Sequence, residues 1–376
     1  LLGQGDAAGA IPLFIEAAAG ETEPRFIALL GLSRAYSATQ APAEAERAAR
    51  QAIATMPEDC SGHAMLALML ADSALADGGL ADGGLADGGL GGRARLDEAA
   101  EAARMALGRA AGSSVRTPPL LNLSARIAIL RGALPEALGL IDRCLETRPF
   151  DRRALSYRPA LLRALNIPEA GPPLLDFDSL VKVIRPEAPR EFDGMGAFNA
   201  RIARAVAASP ALASAQAGRT LVGGARLPSI GSLGPELALA LRGLFRDSVA
   251  AYDRGLAVAE THPLIAGRPP RFDIQAWASV MEAGAFERPH IHEGGWVSGV
   301  FYPEMPPAEA EEPTAAAIVF GGHDLPETSL PPGPTYVYRP ESGDLVLFSS
   351  YLHHRTLPFA GPGRRISVAF DAQPGR

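Results

Sequence analysis

The sequence predicts an α+β, multidomain chain: an α-helical repeat half followed by a β-barrel or double-sheet jelly-roll half. Three observations predict it. Residues 1–166 are rich in Ala and Leu at helical spacing. A Pro-rich stretch, IPEAGPPLLDFD, starts at Ile167 and breaks that texture. From Phe272 onward, short alternating segments take over, separated by Pro and Gly: FDIQAWASVM, WVSGVFY, AAAIVF, TYVYRP, DLVLFSS and RISVAFD. The expected domains are therefore 1–166 and 167–376.

Within the first half, residues Leu32, Ser33, Tyr36, Ala45, Ala49, Ala52 and Pro57 fall at tetratricopeptide spacing. Ala10, Phe14 and Ala17 give the second helix of an earlier unit. Ala99, Ala103 and Ala106 give another, and Ala125, Ala137, Cys144 and Pro149 a fourth. Small residues let helices approach closely, and the Pro ends the second helix of each pair. The pattern resembles tetratricopeptide repeats, except that the aromatic residue at the Ala49 position is missing. A plain Ala-rich helical bundle is the alternative.

Between Ala74 and Gly92 runs a tandem pentapeptide, LADGGLADGGLADGGLGG. Gly-Gly every five residues opposes a helix. The segment reads as a flexible insertion over residues 75–92, between the two helices of the third repeat. Asp77, Asp82 and Asp87 suggest calcium binding only weakly; repeat slippage accounts for them better. After the Pro-rich boundary, residues 196–261 read as helices, with Phe198, Ile202 and Val206 on one face of the first.

Composition excludes several classes of function. A chain of 376 residues, 47% hydrophobic, is long enough for two cores. The net charge is -7 and no basic stripe appears, which argues against a nucleic-acid partner. No apolar run reaches the length of a membrane-spanning helix. Cys60 and Cys144 sit in helical patterns and suggest no disulfide framework, so a reducing cytoplasm is the expected location. The chain opens Leu1-Leu2 without Met, which leaves a lost leader open. Lys182 is the single lysine, so anion-binding side chains elsewhere are expected to be Arg or His.

Four of the seven histidines fall in two tight groups within the β region. In the first, His290 and His292 are two apart, so both imidazoles leave a strand on the same side. In the second, His353 and His354 follow the strand expected at Asp344–Ser350. One short pair plus one distant His is a normal way to assemble a metal site on a jelly roll. Imidazole ligands with open positions suit iron among other transition metals, and H-x-H…H alone does not separate iron from zinc. Downstream, Arg365 and Ser367 are again two apart on a strand. A guanidinium beside a hydroxyl makes a carboxylate socket. A dicarboxylate would then span from the metal to Arg365. Ile366, Val368 and Phe370 are expected to face the opposite way, into packing, and Arg364 to share their side. Trp296, Tyr302 and Phe348 are candidates for the pocket wall or for ordinary core.

The stretches PHIHEGGWVSGVFYPEMP, ESGDLVLFSSYLHHRTLPF and RRISVAFDAQP, in that order, resemble the signature of the 2-oxoglutarate/iron(II) oxygenases. They are closest to the bacterial and phage-type branch often found behind tetratricopeptide repeats. EFDGMGAFNARIARAV and GGARLPSIGSL resemble its lead-in, so the resemblance covers about residues 175–376. It implies a double-stranded β-helix and a dioxygenase that couples 2-oxoglutarate decarboxylation to substrate hydroxylation. The implied cofactors are Fe(II), 2-oxoglutarate and O₂. Metal ligands would be His290, His292 and His354, and the co-substrate carboxylate would sit on Arg365 with Ser367 assisting.

One departure from the wider superfamily stands out. The usual triad has two histidines and a carboxylate, whereas position 292 is His. Three neutral ligands leave the site one negative charge poorer. Glu293 is the nearest substitute carboxylate, but a regular strand turns it away from the His290/His292 face. His353 is expected to point opposite to His354 and to be structural, and His323 to be a loop residue. Two other functions remain to be weighed. One is a cupin-like three-histidine iron oxygenase that does not use 2-oxoglutarate. The other is a repeat scaffold for a protein or peptide partner, with an inactive β-domain. The substrate itself, whether peptide, saccharide or small metabolite, is not encoded in these motifs.

Overall fold

The computed structural model describes residues 6–76, 89–215, 220–308, 311–326 and 329–375. Most of the LADGG insertion lies outside these residues. The chain divides into two compact units: Leu1–Pro149, Ala160–Ile167 and Leu325–Pro331 in the first, and Phe150–Pro159, Pro168–Asp324 and Pro332–Arg376 in the second. No helix among the described residues is long and apolar enough to cross a membrane.

The N-terminal helices are α1 (Ala7–Ala17), α2 (Thr22–Ala38), α3 (Pro42–Thr55), α4 (Cys60–Ala76), α5 (Gly89–Arg109), α6 (Thr117–Leu130), α7 (Leu134–Thr147) and α8 (Arg152–Ala164). From α1 to α7, consecutive helices pack on one another. Their starts are written in the sequence: α3, α6 and α7 each carry Pro at the first or second position, where the missing N–H costs nothing. Most of the small residues picked out above are packing surfaces, whereas Ala17 is exposed. Ala45, Ala49, Ala52, Ala99, Ala106, Ala125, Ala137 and Cys144 are fully buried. The Ser33 hydroxyl, also buried, donates to the Ala45 carbonyl at 2.8 Å and ties α2 to α3. Both cysteines are free.

The second unit continues with α9 (Phe177–Leu180), β1 (Val181–Ile184), α10 (Gly194–Ala207), β2 (Ala213–Ser214), β3 (Leu221–Val222), β4 (Ala225–Leu227), α11 (Pro235–Arg254) and α12 (Pro263–Ala266). Its remaining strands are β5 (Phe272–Met281), β6 (Phe286–Glu287), β7 (Val297–Glu304), β8 (Ile318–Gly321), β9 (Thr335–Tyr338), β10 (Leu345–Ser349), β11 (His354–Thr356) and β12 (Arg365–Pro374). Among the described residues, a seven-stranded antiparallel sheet runs β1-β10-β7-β12-β5-β4-β2. A smaller sheet runs β11-β8-β9, and β3 pairs with β6. Both larger sheets line one cavity, the arrangement of a jelly roll.

The large sheet sorts its side chains by strand parity. On β12, Ile366, Val368, Phe370 and Ala372 are fully buried on one face. The Phe370 ring stacks 4.1 Å from Phe245 of α11, and Phe301 of β7 lies 6.2 Å from Phe198 of α10. The opposite face of β12 turns Arg365, Ser367, Ala369 and Asp371 to the cavity. Helices thus cover one face and leave the other for chemistry. The continuous helical reading of 196–261 is corrected here: strands β2 to β4 interrupt it, and α11 ends at Arg254. Gly223 adopts φ +70, and a Cβ on Gly224 would lie 2.7 Å from the Val280 carbonyl, so this turn between β3 and β4 requires glycine.

Candidate functional site

The site begins with backbone pairing. His290 and His354 face each other as an antiparallel bridge, exchanging N–H to carbonyl bonds of 3.0 Å in both directions. The His292 N–H donates to the Ser350 carbonyl at 3.0 Å. These bonds bring the H-x-H segment beside the start of β11, sixty-odd residues downstream in sequence. The three imidazoles meet, with ligand nitrogens all within 4.8 Å of one another. Ring centroids are 4.3 Å apart for His290 and His354, and 4.9 Å for His292 and His354.

Each imidazole is fixed from behind. His290 Nδ1 lies 2.8 Å from the Arg288 carbonyl, and His354 Nδ1 lies 3.1 Å from the Leu352 carbonyl. His292 Nδ1 lies 2.5 Å from the Asp371 carboxylate. All three partners can only accept, so each Nδ1 carries the proton and each Nε2 presents a lone pair. The Nε2 atoms of His290 and His292 stand 3.4 Å apart, and with Nδ1 protonated in two neutral rings no proton lies between them. Two facing lone pairs repel unless a cation lies between. Nitrogens bound at about 2.1 Å to one ion stand roughly 3.0–3.4 Å apart at ordinary ligand angles. The donor set therefore fits a transition metal.

Burial also favours the neutral form. It holds the His290 pKa below the usual histidine range; Glu287 pulls the other way without reversing the shift. Burial, with the neighbouring His290 and His292, holds His354 well below it. The Asp371 carboxylate stands one hydrogen bond behind His292, on the side away from the other two imidazoles' shared space. It also accepts from the Ser298 hydroxyl at 2.7 Å. The turn after His292 must pass close to this network. A Cβ on Gly295 would lie 2.4 Å from the Ser350 hydroxyl and 3.2 Å from Asp371, which explains the glycine there.

The same cavity, about 240 Å³, is lined by Arg365, Ser367, Ser279 and Tyr302 as well as the three histidines. Ser367 and Ser279 are register partners on β12 and β5. Arg365 is only 2% exposed. Its Nη1 donates to the Ala316 carbonyl at 3.1 Å, while its Nε has no partner. Burial, only partly offset by Tyr302 and Glu287, lowers its pKa, yet a guanidinium stays charged in proteins. A buried cation with an idle donor costs several kcal/mol unless an anion completes it. The socket therefore fits a carboxylate. Arg364 is elsewhere: it makes a two-pronged contact to Glu304 at 2.8 and 3.1 Å.

The other candidates divide cleanly. Tyr302 lines the cavity, whereas the Trp296 indole donates to the Leu264 carbonyl at 2.7 Å, away from it. Phe348 packs 4.7 Å from the His354 ring. Glu293 lies on Arg153, not with the three histidines, and His353 lies 3.3 Å from Asp324. His323 sits between β8 and β9 and is buried. Sequence reasoning missed Asp371, Glu287 and Arg226. Asp371 carried a signal, because it shares strand parity with Arg365 and Ser367. Glu287 and Arg226, joined at 2.6 Å in the cavity wall, carried none.

Comparison with known proteins follows this geometry. Residues 275–371 match the family model described as "Putative 2OG-Fe(II) oxygenase". This part of the chain carries a 2OG-Fe(II) oxygenase domain. The matched segment contains all three histidines, Arg365, Ser367 and Asp371. Its family name states its metal and its co-substrate. No curated protein matches the chain. Among solved structures, a Pseudomonas putida prolyl-4-hydroxylase is 19% identical, with a TM-score of 0.38, over 54% of this chain and 96% of its own. HygX from Streptomyces hygroscopicus, with nickel and 2-oxoglutarate bound, is 14% identical, with a TM-score of 0.36, over 53% and 84%. A Trichoplax adhaerens prolyl hydroxylase in complex with a hypoxia inducible factor peptide fragment is 13% identical, with a TM-score of 0.36, over 58% and 90%. Likeness at that level decides nothing about reaction or substrate.

The buried histidines give the oxygenase domain a pH dependence. Native pKa values of His262, His290, His353 and His354 lie below the usual one. As pH falls below about 6.5, the unfolded chain takes up protons on these residues before the native state does. Stability then rises with pH, because the unfolded state binds more protons. Thermal melts of the metal-free protein should show stability falling steadily from about pH 7 to about pH 5. A flat or rising profile over that range would show that these histidines are not held neutral.

Proposed function

We propose that this protein is an Fe(II)/2-oxoglutarate-dependent dioxygenase that hydroxylates its substrate. The observation that carries this reading is one cavity holding both a three-imidazole donor set and an incompletely bonded, buried Arg365. When bound, iron, 2-oxoglutarate and O₂ supply the oxidising chemistry, in which the co-substrate loses CO₂ to give succinate and one oxygen atom enters a substrate C–H bond.

The chain's own residues do the placing. His290, His292 and His354 hold the iron through Nε2 and leave its remaining positions open. Asp371 keeps His292 oriented and raises its basicity. Arg365, with Ser367 assisting, binds the distal carboxylate of 2-oxoglutarate and so orients the molecule along the cavity. Trp277, Tyr302 and Phe348 help exclude water around the reacting groups. The remaining polar wall, with Thr220, Arg226, Glu287 and Thr356, lies on β4, beside the β3–β6 pair and on β11, and is assigned to the substrate. The cavity volume is below the usual range for drug-sized ligands, roughly 300–1,000 Å³, and must also hold the co-substrate. A side chain or a small polar molecule suits it. The buried small residues of α2 to α7 support a tetratricopeptide-like array over 1–166, with a protein or peptide partner, alongside the oxygenase domain of 167–376. A cytoplasmic location accords with the free cysteines. A three-histidine oxygenase without 2-oxoglutarate would have no use for Arg365, and this weighs against it.

Arg365→Ala should weaken 2-oxoglutarate binding by roughly 2–5 kcal/mol, the cost of truncating one partner of a buried charge pair. At about 1.4 kcal/mol per tenfold, saturation shifts by more than tenfold. Lysine should recover part of the loss, since it keeps the charge but not the fork. Arg364→Ala should change little, given its place on Glu304. The check is an anaerobic titration of the iron-loaded protein with 2-oxoglutarate, followed by its charge-transfer absorption, together with succinate release in air. Equal affinity for Arg365→Ala and wild type would remove the socket and favour the oxygenase that does without 2-oxoglutarate.

A further inference from the structure

Both ligand-bearing segments are gripped from the side opposite the cavity, and by the same residues. Ile291, between His290 and His292, lines the cavity, whereas Glu293 and His353 do not. Glu293 follows His292, and its carboxylate receives Arg153 Nε at 3.0 Å and Nη2 at 2.8 Å. His353 precedes His354, and its Nε2 lies 3.3 Å from Asp324, a close contact without hydrogen-bond geometry. Asp324 in turn receives Arg153 Nη1 at 2.5 Å and the Tyr157 hydroxyl at 3.0 Å. The His353 ring stacks on Tyr157 at 5.9 Å. Arg152 adds a bond from Nε to the Gly295 carbonyl at 2.8 Å. Arg152, Arg153 and Tyr157 all lie on the first turns of α8.

We propose that Arg153 is a positioning residue for the three-histidine site, because its one guanidinium holds the segment after His292 and, through Asp324, the residue before His354. The inference rests on the reading of the three histidines as metal ligands. Its logic is geometric. The H-x-H segment and the start of β11 are joined to each other by short main-chain bonds, and β11 also pairs with β8. Two strand ends so joined can still pivot, and a rotation of either would carry an Nε2 out of reach of a common ion. A planar fork that binds Glu293 through two nitrogens and Asp324 through the third fixes the angle between the segments. The Asp324 arm is only partly screened, with Arg153 and Asp324 side chains 21% and 22% exposed and His353 2%, whereas Glu293 is 62% exposed and its arm is open to solvent. The contribution of the Asp324 arm is therefore less attenuated than that of a surface pair. Glu293 also receives a role here. It is the grip for Arg153 and not a substitute ligand.

The test uses the full chain and cobalt(II), whose visible d–d absorption reports ligand number and geometry. Arg153→Met removes the fork and keeps most of the aliphatic bulk. Loss of a residue hydrogen-bonded to a metal ligand typically costs about 10–100-fold in metal affinity, and Arg153 acts one residue further out, so the low end applies. Arg153→Met should thus bind cobalt about tenfold more weakly, with an altered d–d band, while the metal-free variant still melts cooperatively. Arg153→Lys should restore part of the affinity. Tyr157→Phe, which removes only the hydroxyl on Asp324, and Glu293→Gln should each weaken cobalt by a smaller factor and carry the test if Arg153→Met does not fold. Folded variants that match wild type in affinity and spectrum would overturn the positioning role. Failure of wild type itself to bind cobalt through histidine would instead overturn the metal reading, and the positioning role with it.

Discussion

The site depends on one short piece of backbone pairing, the reciprocal bonds between His290 and His354. They join two segments that the sequence keeps far apart, and they set the distance from which every later feature follows. The carbonyls of Arg288 and Leu352 lie two residues before His290 and His354, where each ring can reach back and donate its Nδ1 proton. Without the bridge, the imidazoles would each be ordinary strand residues. With it, three lone pairs converge in a cavity closed on one side by helix-backed sheet.

Charge decides how such a site survives burial. Three imidazole ligands bring no negative charge of their own to the site. The negative charge is placed instead on Asp371, where the Ser298 hydroxyl and His292 share it. Glu287, despite burial that would raise its pKa, is held low by the charges of Arg226 and Arg365. In the proposed function, a bound metal and the Arg365 guanidinium would face a wall that already carries compensating charge. The dianionic co-substrate would complete the balance at both.

Much of this was legible in the sequence, for reasons that differ by element. Strand parity placed Arg365 and Ser367 on the cavity face and Ile366, Val368 and Phe370 on the other, because the period of two is fixed by the backbone. Small residues at helical spacing marked the buried faces of α3, α5 and α7. The strand segments from Phe272 onward announced themselves by alternation and by Pro and Gly punctuation. What stayed hidden was long-range. Short strands β2 to β4 interrupt a helical texture at Gly223 and Gly224, where the conflict is with a carbonyl on β5. Arg226, Glu287, Arg153 and Asp324 have no local pattern that links them. They meet only after the sheets have formed.

The central claim is that His290, His292 and His354 hold one metal through Nε2 and that no carboxylate joins them. X-ray absorption on the iron(II)-loaded full chain measures this directly. The account predicts three imidazole nitrogens at about 2.1 Å, with the multiple-scattering signature of rigid rings. His354→Ala should reduce that number to two. A wild-type spectrum with two imidazoles and a carboxylate in the ligand shell, or one unchanged by His354→Ala, would contradict it.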